Sequence, residues 1–296
     1  MSLGATALLP GSRQERRNLY GATALLTPAT GIVVIMMVAP LLILLRMSLN
    51  TFDPLVLMIE AFSPHNYVRF FSETYYVSVM LNTLLVAVTS TLACLLLALP
   101  IAYRLGRWQS RWKNLVMLLM VLPLFISSTV RSVGWMVLFS EVGFLTMVTE
   151  TLGLGPAVLM HTLPGVVIGI ISINMPYMIL TLQSVIEGIG PDLEDAAQSL
   201  GATPTRTFWK VVWPLALPGT MIASVLSFIL SMNAFATPVL VGGPRFHMMA
   251  PLLYWEFTTN NNWPFASALA IVLMTTTIVM TVLANRLILG RRARTG

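Results

Sequence analysis

The 296-residue chain is short of charge: Asp, Glu, Lys and Arg together make 9% of it, where a soluble domain carries roughly 25%. Hydrophobic residues make 56%, and the mean hydropathy is +0.82. So few charges cannot cover a water-facing surface of this size, and the chain reads as an integral membrane protein. It holds one cysteine, Cys94, which excludes an internal disulfide and any cysteine-based zinc or iron–sulfur site. The histidines His65, His161 and His247 lie far apart, without metal-ligand spacing. A GxxxxGK[ST] phosphate loop, a GxSxG elbow and an HExxH helix are all missing, so nucleotide hydrolysis and the common hydrolase chemistries have no carrier here.

What is present is a set of long apolar runs. Helices of spanning length are expected at 25–45, 79–103, 114–138, 163–186, 214–241 and 264–287. The third run is interrupted by Arg131 and is read as one helix with a buried charge. Stretches such as Leu95-Leu96-Leu97-Ala98-Leu99 show no period-two alternation, which excludes a β-barrel. The first charge-free run, 28 residues long, exceeds the apolar region of a cleaved signal peptide. The expectation is an all-α membrane protein: a six-helix domain over 25–289, tails at 1–24 and 290–296, a long loop at 187–213 and no appended soluble domain.

Basic residues set the orientation. Arg13, Arg16, Arg17, Arg104, Arg107, Arg111, Lys113, Arg206, Lys210, Arg286, Arg291, Arg292 and Arg294 fall on one side, and Arg46, Arg69 and Arg245 on the other. The basic side is cytoplasmic, so both termini are expected there. The net charge of +6 thus reflects topology, with lipid as the partner and no nucleic acid. Bare helices without site chemistry point to a translocation path rather than an enzyme.

The loop at 187–213 is unusual for a membrane connector. Pro191 can open a helix, Asp192, Glu194 and Asp195 crowd the positive end of its dipole, and Gly201 stands where a carboxyl-terminal cap belongs. A short helix is expected over 191–200. Leu193, Ala196, Ala197 and Leu200 recur at i, i+3, i+4 and i+7 and share one face. An interfacial amphipathic helix would give the same periodicity but favours Lys and Arg on its polar face. Acidic residues and two alanines favour a helix that docks closely against another protein.

Asp195-Ala196-Ala197, three residues, Gly201, then Val211-Val212-Trp213-Pro214 resembles the Glu-Ala-Ala loop motif of ABC-importer permeases. Asp195 stands at the motif's Glu, and Trp213 at the Leu before Pro214. Leu217-Pro218-Gly219, Val241-Gly242-Gly243 and Trp263-Pro264-Phe265-Ala266 make the chain similar to the spermidine/putrescine branch, which also takes in permeases for opine-like solutes. The resemblance implies the type I importer fold, with Asp192, Glu194, Asp195, Ala196, Ala197, Leu200, Gly201 and Pro214 forming a cytoplasmic coupling helix and its exit. It further implies a second, similar permease subunit, two ATP-binding subunits that hold ATP and Mg, and a periplasmic or lipid-anchored substrate-binding protein. This subunit itself is expected to hold no cofactor and no metal, and its membrane to be the bacterial inner membrane. An ATP-independent secondary transporter would instead need coupling carboxylates in the spans, and none are there.

Four residues are candidates for the path. Arg131 is a charge at membrane depth that either faces a pathway or snorkels outward. Asn174-Met175-Pro176 is expected to break the fourth helix, either lining a cavity or kinking a packed helix, with Tyr177 beside it. Asn233 poses the same choice in the fifth. The resemblance implies a polyamine of the spermidine or putrescine kind as the solute. A polyamine path should show acidic groups, and the alternative, an opine, amino acid or other anionic or zwitterionic solute, fits the one buried charge better.

Overall fold

The computed structural model describes residues 13–292 apart from 154 and 157. Residues 1–12 and 293–296 of the expected tails lie outside the described residues, as do the side chains of Arg13, Arg16, Arg17, Arg245, Arg291, Arg292 and of Arg294.

The described chain is helical, with α1 (Arg13–Ser48), α2 (His65–Ser72), α3 (Thr74–Arg107), α4 (Trp112–Val121), α5 (Ser128–Phe139) and α6 (Phe144–Thr151) in its first half. Then come α7 (Leu163–Glu187), α8 (Asp192–Ser199), α9 (Pro204–Thr207), α10 (Trp213–Met232), α11 (Met249–Thr258) and α12 (Trp263–Arg292). Six helical segments are long and apolar enough to cross a membrane. One isolated bridge, Thr51 to Ile59, is the only β pairing among the described residues.

Small residues let the central helices approach closely. Cys94, Ala98 and Ala102 of α3 pack on Met178, Leu182 and Ile186 of α7, joined by Ala223 of α10. A Cβ on Gly219 of α10 would sit 2.2 Å from Val185 Cγ2 of α7, and one on Gly169 would sit 2.6 Å from Thr237 Cγ2. The apolar window of α1 buries none of its residues and runs beside α12, as a lipid-facing helix would.

Four sequence expectations are corrected. The third span is two helices: α4 runs on as a tight 3-10 turn, Leu122–Phe125, the chain extends at Ile126 and Ser127, and α5 starts afresh. Pro123 cannot donate to the preceding turn, and the Ser127 side chain caps α5 by accepting from the Thr129 N–H at 3.3 Å. Arg131 therefore lies in the first turn of a new helix, not deep in an old one. The fifth helix runs unbroken from Pro204 to Met232 and stops at Asn233, well before 241. Pro238 cannot continue it, because its ring would meet the Ala234 carbonyl. The chain resumes as a wide turn over Pro238–Gly242. Pro176, by contrast, does not break the fourth helix; α7 is continuous through it. The helix α1 also begins at Arg13, so part of the expected amino-terminal tail is helical.

Candidate functional site: an exposed loop helix and a cavity at two helix breaks

The helix α8 is about two turns long, one turn shorter than expected, with Pro191 at its amino-terminal cap and Asp192, Glu194 and Asp195 in its first turn. It ends in a Schellman cap. Gly201 takes φ +84°, its N–H donates to Gln198 O at 2.9 Å, and the Ala202 N–H donates to Ala197 O at 3.1 Å. Only a residue at ease in the left-handed region closes the helix this way.

One side of α8 is fastened to the bundle. Glu194 is 7% exposed and accepts from Arg107 Nε and from the Tyr103 hydroxyl, each at 2.7 Å. Arg107 Nη1 also donates to the carbonyls of Ile186 and Ile189, at 3.0 and 2.9 Å, capping the end of α7. Tyr103 meets Phe208 edge to face, with centroids 5.0 Å apart. The ends of α3 and α7, the helix α8 and the start of the fifth span are thus one connected unit. Glu194 was expected among the docking residues; the structure turns it inward. Arg107 and Tyr103 were not singled out in the sequence.

The other side is open. Leu193 is 49% exposed and Leu200 89%. Asp192, Asp195 and Ala196 are exposed and Ala197 is half-buried. Asp195 lines a groove of about 880 Å³ with Pro191, Gln198 and the end of α3. Beyond α9, residues Phe208–Val212 form a π-helical turn in which the Trp213 N–H reaches back to Phe208 O. Pro214 follows directly and has no N–H to keep the ordinary pattern, so the extra residue is taken up there.

The two helix breaks face one another across a cavity of about 560 Å³. Its walls include residues 124–129 and Arg131 from the first break and 233–237 from the second, with Asn174 and Tyr177 of α7 between them. All four residues singled out for a path, Arg131, Asn174, Tyr177 and Asn233, meet here. Asn174 is buried, and its Nδ2 donates to Ser231 Oγ at 2.8 Å and Ser227 O at 3.3 Å, so it ties α7 to α10. Asn233 Nδ2 donates to Ile229 O at 2.8 Å and closes the end of α10. Ser132 and Thr237 bond at 2.8 Å and hold the two breaks together.

The chain matches the family model "Binding-protein-dependent transport system inner membrane component" over residues 91–294. It is 31% identical to the spermidine/putrescine transport system permease protein PotB of Escherichia coli K12 over 252 residues, which cover 84% of this chain and 90% of that one. The inner membrane ABC transporter permease protein YdcU of the same organism is 31% identical over 247 residues, 78% of each chain. A solved bacterial ABC transporter involved in import of the acidic polysaccharide alginate shares the fold, with a TM-score of 0.78 and 18% identity over 94% of this chain and 98% of that one. This chain belongs to the binding-protein-dependent permease family: it is an inner-membrane, multi-pass permease subunit of an ABC importer, with the type I fold.

Proposed function

We propose that this subunit forms half of a translocation path for a polyamine of the spermidine or putrescine kind, driven by ATPase subunits that dock on α8. The single observation behind the coupling role is the two-sided character of α8. Glu194 and Gly201 fix its position and its end, while Leu193, Ala196, Asp195 and Leu200 are left facing out. An exposed small and apolar face on a firmly anchored helix suits a close protein contact. The polyamine assignment is supported by the 31% identity to the spermidine/putrescine permease over most of both chains.

The full machine comprises a second permease subunit, two ATP-binding subunits that carry ATP and Mg, and a periplasmic or lipid-anchored binding protein. Closure of the ATPase pair moves α8, and with it the ends of α3 and α7. The cavity at the two breaks, walled by Arg131, Asn174, Tyr177 and Asn233, belongs to the path. Both termini and α8 lie in the cytoplasm. A second reading, a zwitterionic or anionic solute such as an amino acid or opine, is favoured by Arg131 and by the lack of a carboxylate on the cavity wall among the described residues.

The test is a thermal-shift panel on the cognate binding protein with putrescine, spermidine, amino acids and opines. ATP hydrolysis by the reconstituted complex is then measured with and without the loaded binding protein. Stabilisation by polyamines and stimulated hydrolysis are expected. Stabilisation by opines or amino acids alone would replace the polyamine assignment and leave the coupling role standing.

A further inference from the structure

Among the described residues, Arg131 is the only charged side chain on the wall of the cavity at the two helix breaks. Its Nε and Nη1 atoms are buried and have no hydrogen-bond partner. No ion pair among the described residues involves it. The Nδ2 groups of Asn174 and Asn233 donate to Ser231, Ser227 and Ile229, and neither amide oxygen is bonded to the Nε or Nη1 of Arg131. The Ser128 start of α5 lines the same wall and adds the positive end of a helix dipole.

A guanidinium cannot discharge itself by losing a proton, as a buried lysine can. At membrane depth, a charge left unpaired is strongly unfavourable. An acceptor must therefore reach it. The planar donor fork matches a carboxylate through two parallel bonds. Among the described residues no carboxylate lines this cavity, and Glu141, the nearest acid in sequence, is exposed beyond the end of α5.

We propose that this cavity takes a carboxylate against Arg131, brought from outside the chain. It is either a side chain of the second permease subunit or the carboxylate of the solute. The inference rests on the reading that the cavity belongs to the translocation path.

The test uses the whole transporter in proteoliposomes, with Arg131→Lys, Arg131→Gln and Arg131→Glu beside the wild type. Binding-protein-stimulated ATP hydrolysis is one readout. Uptake of putrescine, a plain diamine, and of ornithine, the same diamine bearing a carboxylate, is the other. If the second subunit supplies the carboxylate, Arg131→Glu lowers hydrolysis roughly tenfold or more whatever the solute. Arg131→Lys then stays within about threefold of wild type, since the charge is kept and only the fork is lost. Replacing the responsible acid of the second subunit by lysine restores Arg131→Glu. If the solute supplies it, hydrolysis is unchanged and ornithine uptake falls while putrescine uptake does not. Should Arg131→Glu fail to assemble, Arg131→Gln against Arg131→Lys carries the same comparison. Unchanged hydrolysis and uptake in both Arg131→Gln and Arg131→Glu would overturn the proposal. A wild-type complex that imports neither probe counts against the polyamine reading alone. The hydrolysis arm then tests the second subunit as the source: a loss in Arg131→Glu upholds the proposal, whereas no loss, together with unchanged uptake in Arg131→Gln and Arg131→Glu of whichever solute stabilises the binding protein, overturns it.

Discussion

Glu194 on the loop helix and Arg107 at the end of α3 are joined by a 2.7 Å hydrogen bond, across 87 residues of sequence. The pair makes α8 part of the bundle rather than a loose connector, because Arg107 also holds the carbonyls of Ile186 in the last turn of α7 and of Ile189 just beyond it. In the proposed coupling role, a push on the outer face of α8 would therefore be delivered to two spanning helices at once. Glu194→Ala should leave a largely buried guanidinium unpaired and cost on the order of 3 kcal/mol of local stability. Basal ATP hydrolysis of the assembled complex is expected to persist, while its stimulation by loaded binding protein is lost. Full stimulation in the variant would mean that α8 moves independently of α3.

Gly201 separates folding from docking. Its φ of +84° disfavours any side chain, yet a Cβ there meets nothing within 4 Å in the isolated subunit. Gly201→Ala should thus cost only about 1 kcal/mol and insert normally. Gly201→Asp adds a negative charge at the negative end of α8, beside the proposed docking face. Transport and binding-protein stimulation are expected to collapse in Gly201→Asp with the subunit still present in the membrane. Asp192→Asn, at the solvated start of the helix, should shift activity by about 1 kcal/mol at most. Normal stimulation in Gly201→Asp would remove the main support for docking at α8.

The contact between Gly219 and Val185 sets how closely α10 lies on α7. Gly219→Ala places a methyl 2.2 Å from Val185 Cγ2, so the Val185 side chain or one of the two helices must shift. Overpacking of this kind costs roughly 1–3 kcal/mol. Thermal unfolding of the purified subunit should show the loss, and Val185→Ala should restore much of it in the double variant. Equal loss in the single and double variants would show that the two helices are not in contact there.

The six spans, the acidic loop helix and the Gly201 cap were legible because each rests on local chemistry: apolar runs, a helix dipole and a left-handed cap. The cavity residues Arg131, Asn174, Tyr177 and Asn233 stood out as polar groups at membrane depth, and they do share one cavity. What escaped was the effect of each proline. Pro123 and Pro238 accompany breaks while Pro176 does not, because α7 is held on both sides: Asn174 bonds to α10, and Trp135 Nε1 donates to Ser172 Oγ at 2.6 Å. Packing decides that outcome, and packing is not written in a proline's neighbours. The inward turn of Glu194 escaped for a similar reason. Its partner lies on another helix, and only the folded chain shows which of three adjacent acids is the anchor.

Both termini are expected in the cytoplasm, on the side of α8. Six spans place the two ends of the chain together, and the basic residues of both tails and of the loops beside Arg107 and Arg206 favour the inner face. Cys94 is buried between α3 and α7, with its Sγ 3.6 Å from the Ile171 carbonyl, so it should not react with an impermeant thiol reagent. Cys94→Ala removes it from the assay with a small volume loss at a site already built from alanines. In that background, Thr295→Cys should label only after spheroplasts are opened. Leu55→Cys is the control, since Leu55 is 94% exposed in the loop after α1, on the opposite end of the bundle, and should label at once. Labelling of Thr295→Cys in intact spheroplasts would invert the chain. It would also carry α8 to the outer face, where no ATPase could reach it, so the coupling role would fall with the topology.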